Sequence, residues 1–284
     1  MKPQLSLTVL VDNTTLTDHY FLGEPGLSFI LETKGKKILF DTGYSGAFLA
    51  NAEKIGISLC DLDYIVLSHG HCDHTNGLVP LTIHLTEAKV NTYPHKVPDL
   101  IAHSRCFYPR PKPPVPNIGS ILSEAEVRKQ FKVNLSDKPL WITEDLVFLG
   151  EIPCKFSFEQ TNPGLRKIVH PDGITEPDLL LDDSALAFRS NEGLVIITGC
   201  SHAGICNITE YAREVCEERK VVDIIGGLHL LSPERERIKE TGKYLGNLHL
   251  KALHACHCTS LSSKIALTEY CPVQEVGSGM KLQW

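Results

Sequence analysis

The sequence contains no uninterrupted apolar run near the roughly twenty residues that cross a bilayer, so no membrane span is expected. It has no CxxC pair among its ten cysteines, which argues against a zinc ribbon or an iron–sulfur cluster. It also lacks any basic block: 28 Lys and Arg stand against 34 Asp and Glu, and the net charge of -6 is spread out. Nothing in that balance supports a grip on nucleic acid or an anionic membrane. There is no G-x-S-x-G, so Ser201, although followed by His202, has no nucleophile elbow. The opening MKPQLSLTVLVDNTTLTDHY offers a short apolar run broken by Ser6 and Thr8 and no small-residue cleavage site, and a cytoplasmic protein is expected.

What is present begins with apolar content: 284 residues at 42% hydrophobic can bury one large α/β core or two modest ones. Cys72, Cys200, Cys256 and Cys258 stand beside histidine motifs, whereas Cys60, Cys154 and Cys216 read as small apolar fillers. The densest chemistry is LSHGHCDHTNG at 67–77. It follows the apolar, β-branched run Tyr64-Ile65-Val66-Leu67, which reads as a buried strand. His69, His71, Asp73 and His74 therefore lie on the loop at a strand's carboxyl end, and imidazole and carboxylate are donors that suit zinc, iron or manganese.

The remaining pattern is read in chain order. Strands are expected at 5–11 and, as a hairpin around Lys34-Gly35, at 27–32 and 37–40; a helix is expected at 47–55, ending at Gly56. A strand should resume over 84–90. Residues 93–119, with prolines crowded in YPRPKPPVPNIG and with Arg105, Tyr108 and Arg110 among them, read as an irregular insertion capping a site. A helix at 123–132 and strands within 140–149 follow. The second half gives a hairpin at 184–188 and 194–198, a helix at 208–219, a strand at 221–225, a charged helix at 233–245 with Pro233 in its first turn, and a strand at 251–255. Five apolar runs end in Asp41, His69, His202, His229 and His257, and ligands of α/β sheets bind beyond such carboxyl ends. His254 reads as structural.

The pattern His69-x-His71-x-Asp73-His74 resembles the signature of the metallo-β-lactamase superfamily. GCSHAG at 199–204, GGLHL at 226–230, HCT at 257–259 and DDSAL at 182–186 extend the resemblance over nearly the whole chain. They are similar to the branch associated with dihydropterin and ribofuranosylaminobenzene phosphate chemistry. The resemblance implies a single α/β domain over 1–284, a four-layer αββα sandwich of the metallo-β-lactamase type, with two divalent metal ions at its edge: zinc, with manganese or iron as alternatives. It assigns His69 and His71 to one ion and Asp73 and His74 to the other, with His202 and His257 completing the set and Asp41 holding a histidine from behind. It departs from the commoner pattern in one place. The strand that usually ends in a metal-bridging Asp reads Thr198-Gly199-Cys200, leaving Cys200 as a soft donor or a bystander and Asp183 as a supporting carboxylate.

Two cations about 3.5–4 Å apart hold a hydroxide at neutral pH and clamp an in-line displacement. The expectation is a metal-dependent hydrolase using a metal-bound hydroxide oriented by Asp73. Its substrate is expected to be a small phosphate ester or phosphodiester, pterin-like in part, contacted by His229, Arg105 and Tyr108. A lactone or thioester hydrolase on the same site is the alternative within enzymes. Outside them stands a pterin-binding or biosynthetic protein without hydrolytic turnover.

Overall fold

The computed structural model describes residues 4–232 and 234–284, so the expected position of Pro233 in a helix lies outside the described residues. In chain order the elements are β1 (Ser6–Val11), β2 (Ser28–Thr33), β3 (Lys36–Phe40), α1 (Ala47–Ile55), β4 (Tyr64–Val66), α2 (Cys72–Thr75), α3 (Leu78–Val90), β5 (Asp99–Ala102), α4 (Glu124–Val127) and β6 (Lys132–Leu135). Then come β7 (Leu140–Trp141), β8 (Leu146–Phe148), β9 (Lys167–Val169), β10 (Thr175–Pro177), β11 (Ala185–Ser190) and β12 (Gly193–Thr198). The chain closes with α5 (Ile205–Val215), β13 (Val221–Gly227), α6 (Arg235–Asn247), β14 (Ala252–Cys256), α7 (Leu261–Leu267) and β15 (Lys281–Gln283). Among the described residues no helix is long and apolar enough to cross a membrane.

The chain divides into two compact units. Of the described residues the first takes 4–136, 163–178 and 277–284, and holds a seven-stranded sheet in the order β15-β1-β2-β3-β4-β5-β6. β15, β1, β2 and β3 pair antiparallel, while β3 through β6 pair parallel. Leu10, Ile30, Leu39, Ile65 and Leu100 of these strands pack with Phe48 and Ala52 of α1 and Leu78 and Leu81 of α3. Each such leucine, isoleucine or phenylalanine contributes about 1.5–3 kcal/mol on burial.

Three expectations are corrected in this unit. Residues 84–90 belong to helix α3, not to a strand. Its buried positions Leu78, Leu81 and Ala88 recur at helical spacing, a period that a window opened only at 84 does not reveal. Asp99–Ala102, inside the presumed insertion, is strand β5, with Leu100, Ile101 and Ala102 buried between β4 and β6. The helix expected over 123–132 is the single turn α4, closed by a capping box between Ser123 and Glu126, and its tail turns into β6. β15, which pairs with β1, was not anticipated from the sequence.

The second unit takes Asp137–Asn162 and Leu179–Val276, with a six-stranded sheet in the order β14-β13-β12-β11-β8-β7. β12, β13 and β14 run parallel, and β11, β8 and β7 continue antiparallel. Ala187, Ile196, Ile224 and Leu253 form its core with Ile205, Ile208 and Ala212 of α5 and Leu245 of α6. Helix α5 starts at Ile205 rather than at the expected 208. The reason is tertiary: the buried Glu159 carboxyl accepts the N–H groups of Cys206 (3.0 Å) and Asn207 (2.8 Å), satisfying the donors of the first turn from a distant segment. Of the three cysteines expected as fillers only Cys216 is buried; Cys60 is half-buried and Cys154 is exposed.

Candidate metal centre

In the first unit, β4 ends at Val66 and releases the motif loop, whose donors converge. His69 Nε2 lies 3.0 Å from His71 Nδ1, the rings of His69 and His74 are 4.2 Å apart, and His74 Nε2 lies 3.8 Å from Asp73 Oδ2. Asp41, first residue after β3 and fully buried, organises the loop from behind. Its Oδ2 accepts from His74 Nδ1 (2.7 Å) and from the Ser68 hydroxyl (2.7 Å), and its Oδ1 accepts the Ser68 N–H (2.7 Å). Because the Ser68 proton goes to Asp41, His69 Nδ1, 2.9 Å from Ser68 Oγ, is the donor in that pair. Both rings are thereby held in the tautomer that carries its proton on Nδ1 and leaves Nε2 unprotonated, the form in which it can serve as a ligand atom. Ser68 is a positioning residue that the sequence reading missed; its only signal is its place directly before the first histidine.

Burial first, and then the guanidinium of Arg110, push the His71 imidazole well below its ordinary value, which favours the neutral, metal-binding form. Gly70 explains the tightness of the loop. A Cβ there would lie 1.9 Å from the Cys106 carbonyl oxygen, so the 103–106 turn packs directly on the backbone between the two histidines. The Pro-rich stretch is stitched to the same loop: Ser120 N–H bonds Gly70 O and Cys72 N–H bonds Ile118 O, each at 2.9 Å.

The hairpin of β9 and β10 joins that stretch through Lys167 N–H to Pro111 O (3.1 Å) and Val169 N–H to Pro109 O (2.9 Å). It brings partners to the arginines singled out above. Arg105 meets Glu176 (3.3 Å), the Tyr108 and His170 rings meet edge to face at 5.5 Å, and His170 Nε2 lies 2.7 Å from Glu176. Arg110 is fully buried and bonds Asp178 at 2.8 Å. Arg166, absent from the sequence reading, is half-buried and near both Asp178 and Arg110. Burial lowers its pKa, with Asp178 opposing.

In the second unit the donors come from three strand ends. The ligand atoms of Cys200, His202 and His229 lie within 4.8 Å of one another, as do those of Cys200, His257 and Cys258. The His202 and His229 rings are 4.1 Å apart. Ser201 (φ 59), His229 (φ 48) and His257 (φ 51) all adopt the left-handed conformation, as does Asp41 (φ 56) in the first unit. Non-glycine residues are rarely held there, and such strain gathers at functional sites. His229 Nδ1 is buried with no hydrogen-bond partner among the described residues, as befits a nitrogen placed for a cation or a ligand.

Cys258 accepts the His229 N–H (3.2 Å) and reaches the Cys200 carbonyl (3.5 Å). Burial opposes its ionisation, yet interactions with the Cys200 and His229 side chains and with the His257 imidazole hold it well below the ordinary thiol value, making it a soft donor. Asp183 is fully buried; burial pushes its carboxyl up to about 8 against the N–H groups of Ala203 and His202. Its Oδ2 accepts from Ala203 at 3.0 Å. Ser201 donates to Gly227 O (2.7 Å), pairs with Thr198 (2.8 Å) and is inaccessible, so it is no nucleophile. His254 is tied to Asp223 at 2.9 Å.

A family model described as the metallo-β-lactamase superfamily matches residues 22–153. The 7,8-dihydropterin-6-methyl-4-(β-D-ribofuranosyl)-aminobenzene-5'-phosphate synthase of Methanocaldococcus jannaschii is 31% identical over 272 residues, 89% of this chain and 90% of that protein. The chain belongs to the metallo-β-lactamase superfamily. Among solved structures, Tm1679, a metal-dependent hydrolase of the β-lactamase superfamily, superposes with a TM-score of 0.83 at 26% identity and 99% coverage of both chains. A second relative from M. jannaschii, an uncharacterized protein, is 27% identical over 93% of this chain and 94% of its own length. The superfamily membership and this fold make the chain a metal-dependent hydrolase. Its donor set, rich in imidazole with carboxylate and thiolate, suits divalent cations.

Proposed function

We propose that the chain hydrolyses a small phosphate ester or phosphodiester in the cytoplasm at two divalent cations, with zinc the ion that its imidazole, carboxylate and thiolate donors suit best. In this reading His69 and His71 serve one ion and Asp73 and His74 the other, with His202 and His257 completing the set. Bound cations lower the pKa of water and neutralise charge developing on phosphoryl oxygens. The chain's own residues do the rest. Asp41 and Ser68 fix the His69 and His74 rings, Asp73 orients the attacking water, and Arg105, Tyr108 and His229 meet the substrate.

The observation that carries the phosphate reading is the cationic charge gathered behind the motif loop. Arg110 and Arg166 both act electrostatically on His71. The guanidiniums of Arg105, Arg110 and Arg166, with His170 beside them, outnumber the carboxyls of Glu176 and Asp178 that face them. Such an excess favours an anionic substrate group. The M. jannaschii relative, whose name joins a dihydropterin to a phosphate, supports a heteroaromatic group on that substrate.

The test loads the purified chain with zinc or manganese and offers p-nitrophenyl phosphate, bis-p-nitrophenyl phosphate, a lactone and a thioester. Phosphoester turnover is expected, falling at least about a thousandfold in His69→Ala and Asp73→Ala. Turnover confined to the lactone or thioester, or undiminished in both variants, overturns the reading.

A further inference from the structure

The first unit carries a cavity of about 230 Å³ between the second half of α3, residues 95–97 and the turn into β6. None of the proposed metal ligands or substrate contacts lines it. Its lining is mixed: Leu85 and Val97 supply apolar surface, Lys89, Lys96 and Lys129 supply three ammonium groups, and no carboxylate takes part. Leu85 is half-buried, and Val97 and all three lysines are exposed, so a ligand entering from solvent can reach each of them.

The positive charge is not cancelled locally. Lys96 meets Asp63 at 3.0 Å, but neither Lys89 nor Lys129 forms a salt bridge among the described residues. The carboxylates of the neighbouring segments are held by other groups: Glu124 by Arg128 (2.7 Å), Glu126 by the Ser123 N–H (2.8 Å) and Asp99 by Lys132 (2.8 Å). Helix α3 turns its carboxyl-terminal half to the cavity, an end that by itself repels anions. Its last carbonyls are covered, because the N–H groups of Asn91, Tyr93 and Thr92 bond Glu87 O (2.9 Å), Ala88 O (2.9 Å) and Lys89 O (3.2 Å).

These features define the ligand. The usual holders of phosphate, a guanidinium fork and a helix N-terminus, are both missing from the lining. Lysines act instead as point charges. A small hydrated anion would gain nothing from Leu85 and Val97, and an uncharged hydrocarbon nothing from the ammonium groups. The volume exceeds the roughly 150 Å³ that takes up benzene. We propose that this cavity binds a carboxylate carried on a compact apolar body of one or two rings, the carboxylate meeting Lys89 and Lys129 and the body packing on Leu85 and Val97.

The experiment is calorimetric titration of the full chain with 2-naphthoate, with the uncharged 2-naphthamide and with acetate. At low ionic strength 2-naphthoate is expected to bind at one site per chain, at least about tenfold more tightly than either of the others, and to weaken as salt is added. Lys89→Gln with Lys129→Gln is expected to erase the preference over the amide. Val97→Glu, which places a carboxylate in the lining, is expected to weaken 2-naphthoate at least about tenfold. All three positions are exposed, and unfolding midpoints verify that the variants fold. Absent binding of 2-naphthoate, equal binding of the amide or of acetate, or an undiminished preference in the folded double variant overturns the proposal. His69→Ala is expected to bind 2-naphthoate unchanged; loss of binding there would place the compound at the metal centre and also overturn it. The hydrolase reading is decided by turnover, which this titration does not measure, so the two can fail separately.

Discussion

The first unit draws its donors from six consecutive positions, His69 to His74, whereas the second gathers Cys200, His202, His229, His257 and Cys258 from beyond β12, β13 and β14. In the first, one loop and the two residues behind it, Asp41 and Ser68, set the geometry. In the second, parallel register does so: Ile197 opposes Ile225 and Gly227 opposes Cys256, so residues distant in sequence leave the sheet side by side. A contiguous donor set depends on local backbone shape. A dispersed set depends on every strand of the sheet being in place, and it is therefore more exposed to error in folding.

The sharpest way to break this comparison is metal stoichiometry. On the proposed reading, His69→Ala and His257→Ala should each lose about one ion per chain by elemental analysis. A variant that keeps the full complement exposes its histidine as a bystander. Next in size is the buried pair that locks the Pro-rich stretch to its hairpin. Arg110→Ala should cost about 3–5 kcal/mol in denaturant unfolding, because the buried Asp178 carboxylate loses its 2.8 Å guanidinium partner, while Arg110→Met with Asp178→Leu should recover most of the loss.

Smaller again is the effect behind the loop. Asp41→Asn should weaken metal affinity by about 10–100-fold in competition with a chelator, since His74 Nδ1 and the Ser68 hydroxyl lose a charged acceptor. An unchanged affinity would show that the rings orient themselves. The smallest concerns pH. Burial raises the Glu159 pKa above its ordinary value, with the N–H groups of Cys206 and Asn207 opposing. The folded state thus binds that proton more tightly, and the stability it contributes is present below pH 4.5 and lost as pH rises through the raised value. Measured by denaturant unfolding, the margin of wild type over Glu159→Gln should narrow as the pH rises; a margin constant with pH contradicts the assignment.

The strand hairpins, helix α1 with its Gly56 end and the strand before His69 were all legible, because each carries a complete local signal of period, β-branching or turn residue. The misplaced elements lacked one. Asp99–Ala102 is only four residues long between prolines and polar residues, and it is a strand because β4 and β6 flank it. The start of α5 moved because Glu159 caps it from a remote segment. Arg166 and His170 carried no motif, and only the hairpin over the Pro-rich stretch brings them to Asp178, Tyr108 and Glu176.

The sequence by itself determined that four donors share one strand-end loop and that four further polar groups end apolar runs, since spacing along a chain is a covalent fact. The tertiary structure decided which nitrogen of His69 and His74 carries the proton, that Asp183 Oδ1 is buried with no hydrogen-bond partner among the described residues, and that Asp41, Ser201, His229 and His257 turn through left-handed backbone. Those outcomes follow from hydrogen bonds and burial contributed by segments remote in sequence, which no local pattern encodes.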